Sequence, residues 1–484
     1  MTLTPNFEGN QIATLGVRLT LENPQVSANQ SLVTMNNAVA TTPTQFYSSD
    51  AIDASDASGR LSLAQVDNGE HGDEGLRKYI VTRPTNGDVV LKFTAKPASM
   101  DLGPRFEFRT QPDGLGATVA GYNFLPLPEG NIFTINVDWD LAEAPAGTRG
   151  VWSFGENSAT KVGTPDLLAS TFYAFGQMKS FPEAGTQSNY SMYWFGEPPF
   201  NITQAAVWTG QLFGNMQRYF RDGEDTYRVF ARHAGGSGGS ALLRSFLFTY
   251  DNATTNRDLE GLLAHEMVHN WPTMTGTGAD TTWYVEGIAE YYSARLPFRF
   301  GMQTTDRFLE VMNSLAKGYY GNRYINITNE EQAGLQFSDT AKQALPYGRG
   351  LMFLVKLDAE IRAKSNGTHS LDNIVQALLD RTRAGTGDTI QDLLQLMVQE
   401  RGPEAQEEYQ DMANGKLVIP QENSLGPCFS VVKTTTPVVS GHKTSTLEQN
   451  KQGLIAVSPT NPSAIAVAYQ WVKRPGLDDS KCVI

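Results

Sequence analysis

The chain has 484 residues, 40% of them hydrophobic, 10% aromatic and 18% charged, a composition that fits two or three packed globular cores and excludes a disordered or fibrous protein. A formal net charge of −13 opposes a phosphate backbone, and with no block of Lys or Arg to overcome it, nucleic acid is not expected as a partner. No apolar run reaches the roughly 18 to 20 residues of a membrane span; the longest candidate, GLMFLVKLDAEI, is interrupted by Lys356 and Asp358, so no membrane partner is expected either.

The two cysteines, Cys428 and Cys482, are too few for a disulfide framework and are not spaced as metal ligands, so stability is expected from packing. The first residues, MTLTPNFEGNQ, lack the basic and apolar regions of a secretory signal and predict a cytoplasmic protein. Six N-x-S/T sequons, beginning at Asn29, Asn189, Asn201, Asn252, Asn326 and Asn366, keep secretion open.

From about residue 10 to 160 the sequence offers short β-type runs such as IATLGVRLTLE, RKYIVTR, DVVLKFTAKP and IFTINVDWDL, separated by turns such as PTNGD and QPDGLG. This predicts an antiparallel β-sandwich over residues 1–164. From about 165 strands (STFYAFGQM, YSMYWFG, TYRVFARH, ALLRSFLFTY) mix with a helix over 203–221, and after Asn256 helical periodicity continues to about 412. Residues 413–484 return to β-like runs, FSVVKTTTPVV and GLIAVSP, and predict a short appendage. The fold class expected is α+β and multidomain, with boundaries at 1–164, 165–300, 301–412 and 413–484.

The stretch LLAHEMVHNW carries two histidines four apart. Thr255 and Asp258 form a capping-box-like pair ahead of Leu259, Leu262 and Leu263, so a helix entering at about 257 is signalled. On that helix His265 and His269 share a face and aim two imidazoles at one point, as zinc requires. Glu266 is turned about 100° away, where its carboxylate can address water instead of the metal. A catalytic zinc needs a third protein ligand. Downstream, TGTGADTTWYVEGIAEYYSARL reads as a turn, an N-cap at Asp280 and a second helix, and sixteen residues separate His269 from Glu286, enough for the chain to return. Glu286 is the best third ligand; Glu290, one turn on, is placed to orient a ligating histidine, and the two carboxylates could exchange roles. Trp271 and Trp283 are expected to pack the core beside these elements, and His71, His369 and His442 show no partner in the sequence.

HEMVHNW followed by WYVEGIAEYY resembles the gluzincin, thermolysin-like zinc metallopeptidases, most closely the glycyl aminopeptidase family and more distantly the leucyl and alanyl aminopeptidases, whose gap before the third ligand is two residues longer. The block LPYGRGLMFLVKLDAEIR is similar to a conserved-order segment of the same family, which gives Tyr347 the role of the transition-state tyrosine. The resemblance covers about 165 to 412. It implies a thermolysin-like catalytic domain at 165–300, a helical domain at 301–412, Zn2+ as cofactor and a peptide as substrate. Glu266 would be the general base, and Tyr347 with zinc would stabilise the oxyanion.

The Gly-rich stretch HAGGSGGSALLRSFLF, residues 233 to 248, reads either as a flexible linker or as the edge strand of a substrate cleft; no Gly-Lys-Ser/Thr follows to make it a phosphate loop. The family has Gly-Gly-Leu-Glu-His here, with the glutamate on the substrate amine; this chain has Gly238, Gly239, Ser240 and Ala241, so the acid is missing at Ala241. Glu260 or an acid of the β domain could replace it, and His233 could line the cleft. The function expected is zinc-dependent peptide hydrolysis, aminopeptidase-like. One alternative is an endopeptidase or a peptidase of relaxed end specificity. The other is an inactive zinc-bearing scaffold that binds peptides.

Overall fold

The computed structural model describes residues 1–484 other than 40–41, 69–74, 100–105, 224–225, 236–237, 277, 335–338, 439–464, 476–481 and 483–484. His71, His442 and the run GLIAVSP lie outside the described residues. Contacts gather the chain into two units: Met1–Gly210 with Glu224–Thr255, and Gln211–Gly223 with Asn256–Ile484. The change from β-type to helical patterning at Asn256 coincides with the boundary between them.

The first unit is built on strands whose alternate residues are buried. A seven-stranded sheet runs Ser158–Gly163, Phe133–Trp139, Thr2–Glu8, Gln11–Leu21, Val89–Ala95, Asp53–Asp56, Gly59–Arg60, antiparallel throughout except where Thr2–Glu8 meets Phe133–Trp139. Leu3, Val17 and Phe93 stand side by side across three strands of this sheet, and all three are buried. They share a core with Val119, Tyr173 and Phe175 of a second, five-stranded sheet, which is the expected β-sandwich. The other face of that second sheet, carrying Ala120, Phe172 and Ala174, packs on Tyr193, Phe230 and Leu247 of a third sheet. Strand periodicity of two explains how one sheet feeds two cores. In the third sheet Tyr190–Trp194, Tyr227–His233 and Ser245–Tyr250 are parallel neighbours, and Gly238–Leu242 is the antiparallel edge strand. A buried ion pair, Arg232 Nη2 to Glu107 Oε1 at 2.6 Å, joins the third sheet to the loop ahead of the second.

The long helices are α1 (Ile202–Tyr219), whose second half belongs to the second unit, α2 (Asn256–Val268), α3 (Thr282–Arg299), α4 (Thr305–Tyr320) and α5 (Thr340–Lys364). Three more follow, Leu371–Ala384, Ile390–Arg401 and Glu404–Ala413, the first two opened by capping boxes at Ser370/Asn373 and Thr389/Asp392. The molecule is thus α+β, with β-rich N-terminal layers and a helical C-terminal region.

Within the second unit α3 and α5 cross at two glycines. A Cβ added to Gly287 would lie 2.5 Å from Gly350 Cα, so the helix backbones themselves are in contact. Trp271 stacks on Phe220 and donates its indole N–H to Asp222 at 2.7 Å, and Trp283 packs edge-on against Phe353; both are core residues. His369, exposed, does have a partner, with Nδ1 2.7 Å from Glu400 Oε2. The N-cap of α3 is Thr281 in place of the expected Asp280. Asp280 stands one residue ahead of the cap, its carbonyl accepting from Trp283 Nε1 at 2.9 Å.

The C-terminal residues form an antiparallel hairpin, Phe429–Pro437 with Ile465–Lys473. It lies against α4, where the Asn313 side chain closes two hydrogen bonds with the Trp471 backbone at 2.9 and 2.7 Å, and the Trp471 ring is buried. Cys428 and Cys482 are joined in a disulfide with a Cα separation of 5.6 Å. Two cysteines are still too few for a framework, but packing is not the sole tie: the hairpin brings two residues 54 positions apart within bonding range.

Candidate active site

The second unit brings His265, Glu266, His269, Glu286, Glu290 and Tyr347 together. α2 buries Leu259, Leu263, Ala264, Met267 and Val268, and this apolar stripe sets the rotation that turns His265 inward. His269, one turn on, presents the second ring edge-on, with ring centroids 4.9 Å apart. The Gly287–Gly350 contact lets α3 approach α5 closely enough for the residue before Gly287 and the residue three before Gly350 to reach the same imidazole. Glu286 Oε2 lies 3.3 Å from His265 Nε2, and the Tyr347 ring stacks on the His265 ring at 5.6 Å with 19° between planes.

Three ligand atoms converge. His265 Nε2 and His269 Nε2 are 3.2 Å apart, and Glu286 Oε2 is 3.3 Å from the first and 3.7 Å from the second. Tetrahedral ligands at zinc distances of about 2.0–2.1 Å are separated by about 3.3–3.4 Å along each edge. The triangle therefore matches the face of a tetrahedron around one ion. Glu286 Oε2 is buried and meets no partner at a hydrogen-bonding angle despite these short distances, as expected for an oxygen that an ion would satisfy. Behind the triangle, Glu290 Oε1 sits 3.4 Å from His265 Nδ1. The donor set of two imidazoles and one carboxylate suits zinc.

Burial drives the electrostatics. It depresses His269, with His265 adding to the effect against Glu286, so that its pKa falls to about 4 and the ring is neutral at pH 7. Burial would depress His265 too, but Glu290 and Glu286 outweigh it and hold its pKa well above the usual value. Burial acts to raise Glu286, and the two histidines and Tyr347 more than offset it, lowering the carboxyl. The Tyr347 hydroxyl is pushed well above its ordinary value by burial and by the carboxylates of Glu286, Glu266 and Glu290, which keeps it a hydrogen-bond donor.

A pocket of the second unit is bordered by His265, Glu266, Glu290 and Tyr347 together with residues of α4. Glu266, half-buried, thus faces open space beside the triangle. Among the other lining residues, Gln303, just ahead of α4, and Arg307, in its first turn, belong to no motif, and only their place in the folded pocket reveals them. The strand residues Gly238, Gly239, Ser240 and Ala241 lie in the first unit, at the edge of the third sheet, where a Cβ on Gly239 would overlap the Phe246 ring. His233 is in the same sheet, its ring edge-on to Tyr250 at 5.4 Å. Glu260, on α2, has its carboxyl pushed up by burial against the opposing influence of Arg307 and Arg257.

No protein-family model matches the chain, and no curated protein matches its sequence. Solved structures do. An aminopeptidase N family protein from Idiomarina loihiensis superposes with a TM-score of 0.67 at 14% identity, over 89% of this chain and 78% of that one. An M1 zinc metallopeptidase from Deinococcus radiodurans gives 0.52 at 17% identity, over 87% and 93%. Native yeast LTA4 hydrolase gives 0.50 at 14% identity, over 85% and 66%. The chain has the fold these proteins share.

Proposed function

We propose that this chain is a zinc-dependent peptidase. The observation that carries the proposal is the convergence of His265, His269 and Glu286 on one ion-sized point, with Glu266 and Tyr347 bordering the pocket beside it. Bound there, zinc would polarise a carbonyl and lower the pKa of water. Glu266 takes the proton of the water that attacks the peptide carbonyl and hands it to the departing amine. Tyr347 donates its hydroxyl hydrogen to the carbonyl oxygen as negative charge develops there. Glu290, its Oε1 3.4 Å from His265 Nδ1, stands where it would accept from Nδ1–H with the metal bound, leaving the Nε2 lone pair free for the metal. Proteins that share the fold are described as zinc metallopeptidases and aminopeptidases, one of them bound to a Tyr-Ser-Ala substrate, which supports the same reading here.

The finer assignment is an aminopeptidase-like enzyme in which the edge strand Gly238–Leu242 pairs with the substrate backbone. Ala241 favours a second reading, an endopeptidase, because a charged substrate amine has no carboxylate at that position. The compartment we propose is an oxidising one: the Cys428–Cys482 disulfide and the exposure of all six sequon asparagines support it over the cytoplasm. The test compares alanyl and glycyl p-nitroanilides with N-acetylated peptides, before and after chelation and zinc restoration. Zinc-restored cleavage of free ends identifies the aminopeptidase, and zinc-restored cleavage of blocked peptides the endopeptidase. Turnover of neither contradicts the proposal.

A further inference from the structure

The C-terminal hairpin rests on the helix that lines the candidate active site. α4 supplies Arg307, Glu310, Val311, Ser314 and Leu315 to the pocket, residues whose spacing puts them on one face of the helix. A second stripe, Asp306, Asn313 and Tyr320, recurs every seventh residue and lies roughly 100° or more around the helix from the first. It faces the hairpin strand Ile465–Lys473. Asp306 Oδ1 is 2.9 Å from Lys473 Nζ, Asn313 is bonded to Trp471, and the Tyr320 ring packs on Tyr469 with centroids 5.5 Å apart. From the start of the other strand, Phe429 packs on Phe308 at 5.7 Å. Among the described elements, α4 meets the strand Ile465–Lys473 more extensively than it meets α3 or α5. The hairpin is thus the main support of a helix that lines the pocket, and not a loose appendage.

Asn313 makes this junction specific. The Trp471 N–H donates to Asn313 Oδ1 and the Trp471 carbonyl accepts from Asn313 Nδ2, so the carboxamide stands where the peptide group of a third strand would. Only a side chain with both a donor and an acceptor can do this. The buried Trp471 ring anchors the strand further by donating its indole N–H to Ser424 Oγ at 2.9 Å. We infer that the hairpin positions the pocket-lining face of α4 for peptide binding, and that Asn313, outside the pocket lining itself, is the positioning residue through which it acts. The inference rests on the proposed peptidase reading, in which this pocket receives the substrate. Loosening the junction lets Arg307, Glu310 and Ser314 shift together, while His265, His269 and Glu286 on or beside α2 and on α3, and Tyr347 on α5, keep their places. Substrate affinity falls and the chemical step does not.

The test is steady-state peptide hydrolysis by the zinc-loaded, full-length protein and its Asn313→Asp variant, well below the unfolding midpoint of each. Aspartate keeps the acceptor for the Trp471 N–H but sets a carboxylate oxygen against the Trp471 carbonyl. KM should rise about five- to tenfold, the worth of roughly one net hydrogen bond, with kcat and zinc affinity unchanged. Phe429→Leu, which keeps an apolar side chain and loses the ring contact with Phe308, should move KM the same way by less, and serves if Asn313→Asp does not fold. Hydrogen exchange should quicken in α4 and the hairpin while α3 and α5 stay as protected as in the wild type. A lowered unfolding midpoint with KM unmoved in every variant that folds overturns the positioning role and leaves the peptidase reading intact. If the wild type cleaves no peptide, the peptidase reading fails, and exchange decides the brace alone: quickening confined to α4 and the hairpin upholds it, and quickening spread evenly over the helices overturns it.

Discussion

Gly287 and Gly350 meet backbone to backbone. A methyl group on Gly350 would overlap the Trp283 carbonyl oxygen, and one on Gly287 would lie 2.5 Å from Gly350 Cα. The placing of Glu286 against Tyr347 depends on this approach, because Glu286 precedes one glycine and Tyr347 lies a turn before the other.

Gly350→Ala should therefore destabilise the protein by at least about 1–3 kcal/mol, the cost of overpacking a contact that cannot relax. Gly214→Ala, in the interior of α1, where the nearest atom is 3.9 Å away, should instead stabilise by about 0.5–1 kcal/mol. Thermal midpoints that move in opposite directions bear this out; an unchanged midpoint for Gly350→Ala would show that the helices can separate freely.

Glu290→Gln should lower zinc affinity about 10–100-fold, the usual effect of losing a carboxylate that orients a ligating histidine. Glu286→Gln should abolish tight binding altogether. Competition with a chromogenic chelator measures both. The opposite ranking would assign Glu290 as the third ligand and Glu286 as the orienting group.

Tyr347→Phe should keep its zinc and lose about 10²–10³ in kcat, as expected for one oxyanion donor. Stacking of the ring on His265 survives the substitution, so metal content separates the lost hydroxyl from a lost scaffold. A variant with wild-type kcat would remove Tyr347 from the chemistry.

Stability in acid should follow Asp358. Burial alone would raise this carboxyl, but Arg295 and Arg362, at 3.2 and 2.9 Å, and the Leu371 N–H hold it below its ordinary value. A depressed carboxyl contributes fully above its unfolded pKa of about 3.9 and loses that contribution as pH falls through the lower folded value. Asp358→Asn should cost about 3–5 kcal/mol at pH 7, since it strands a buried arginine, and should flatten the acid limb of the unfolding midpoint below pH 4. An unaltered acid limb would assign the loss to other carboxyls.

The helix of His265 and His269 is legible in sequence because its capping residues, apolar stripe and i, i+4 histidines are all local. The β-rich layers are legible for the same reason, alternation over five to seven residues. Which faces of those strands share a core is not, since Tyr173 and Phe172 read alike until the neighbouring sheets are in place. Gly287 and Gly350 look like weak points in two separate helices, and only the crossing gives them a purpose. The same holds for Cys428 with Cys482, whose pairing depends on a hairpin, and for Gln303 and Arg307, whose place in the pocket appears only after folding. The N-cap of α3 falls one residue after the expected Asp280, at Thr281, because asparagine, aspartate, serine and threonine all suit that position and sequence alone does not rank neighbours.

The most direct measurement of the central claim is zinc content together with peptide hydrolysis for the wild type and Glu266→Gln. One zinc per chain in both, with cleavage by the wild type and a loss of several orders of magnitude in the variant, is the predicted result. Equal cleavage by the two proteins, or no zinc in either, would contradict it.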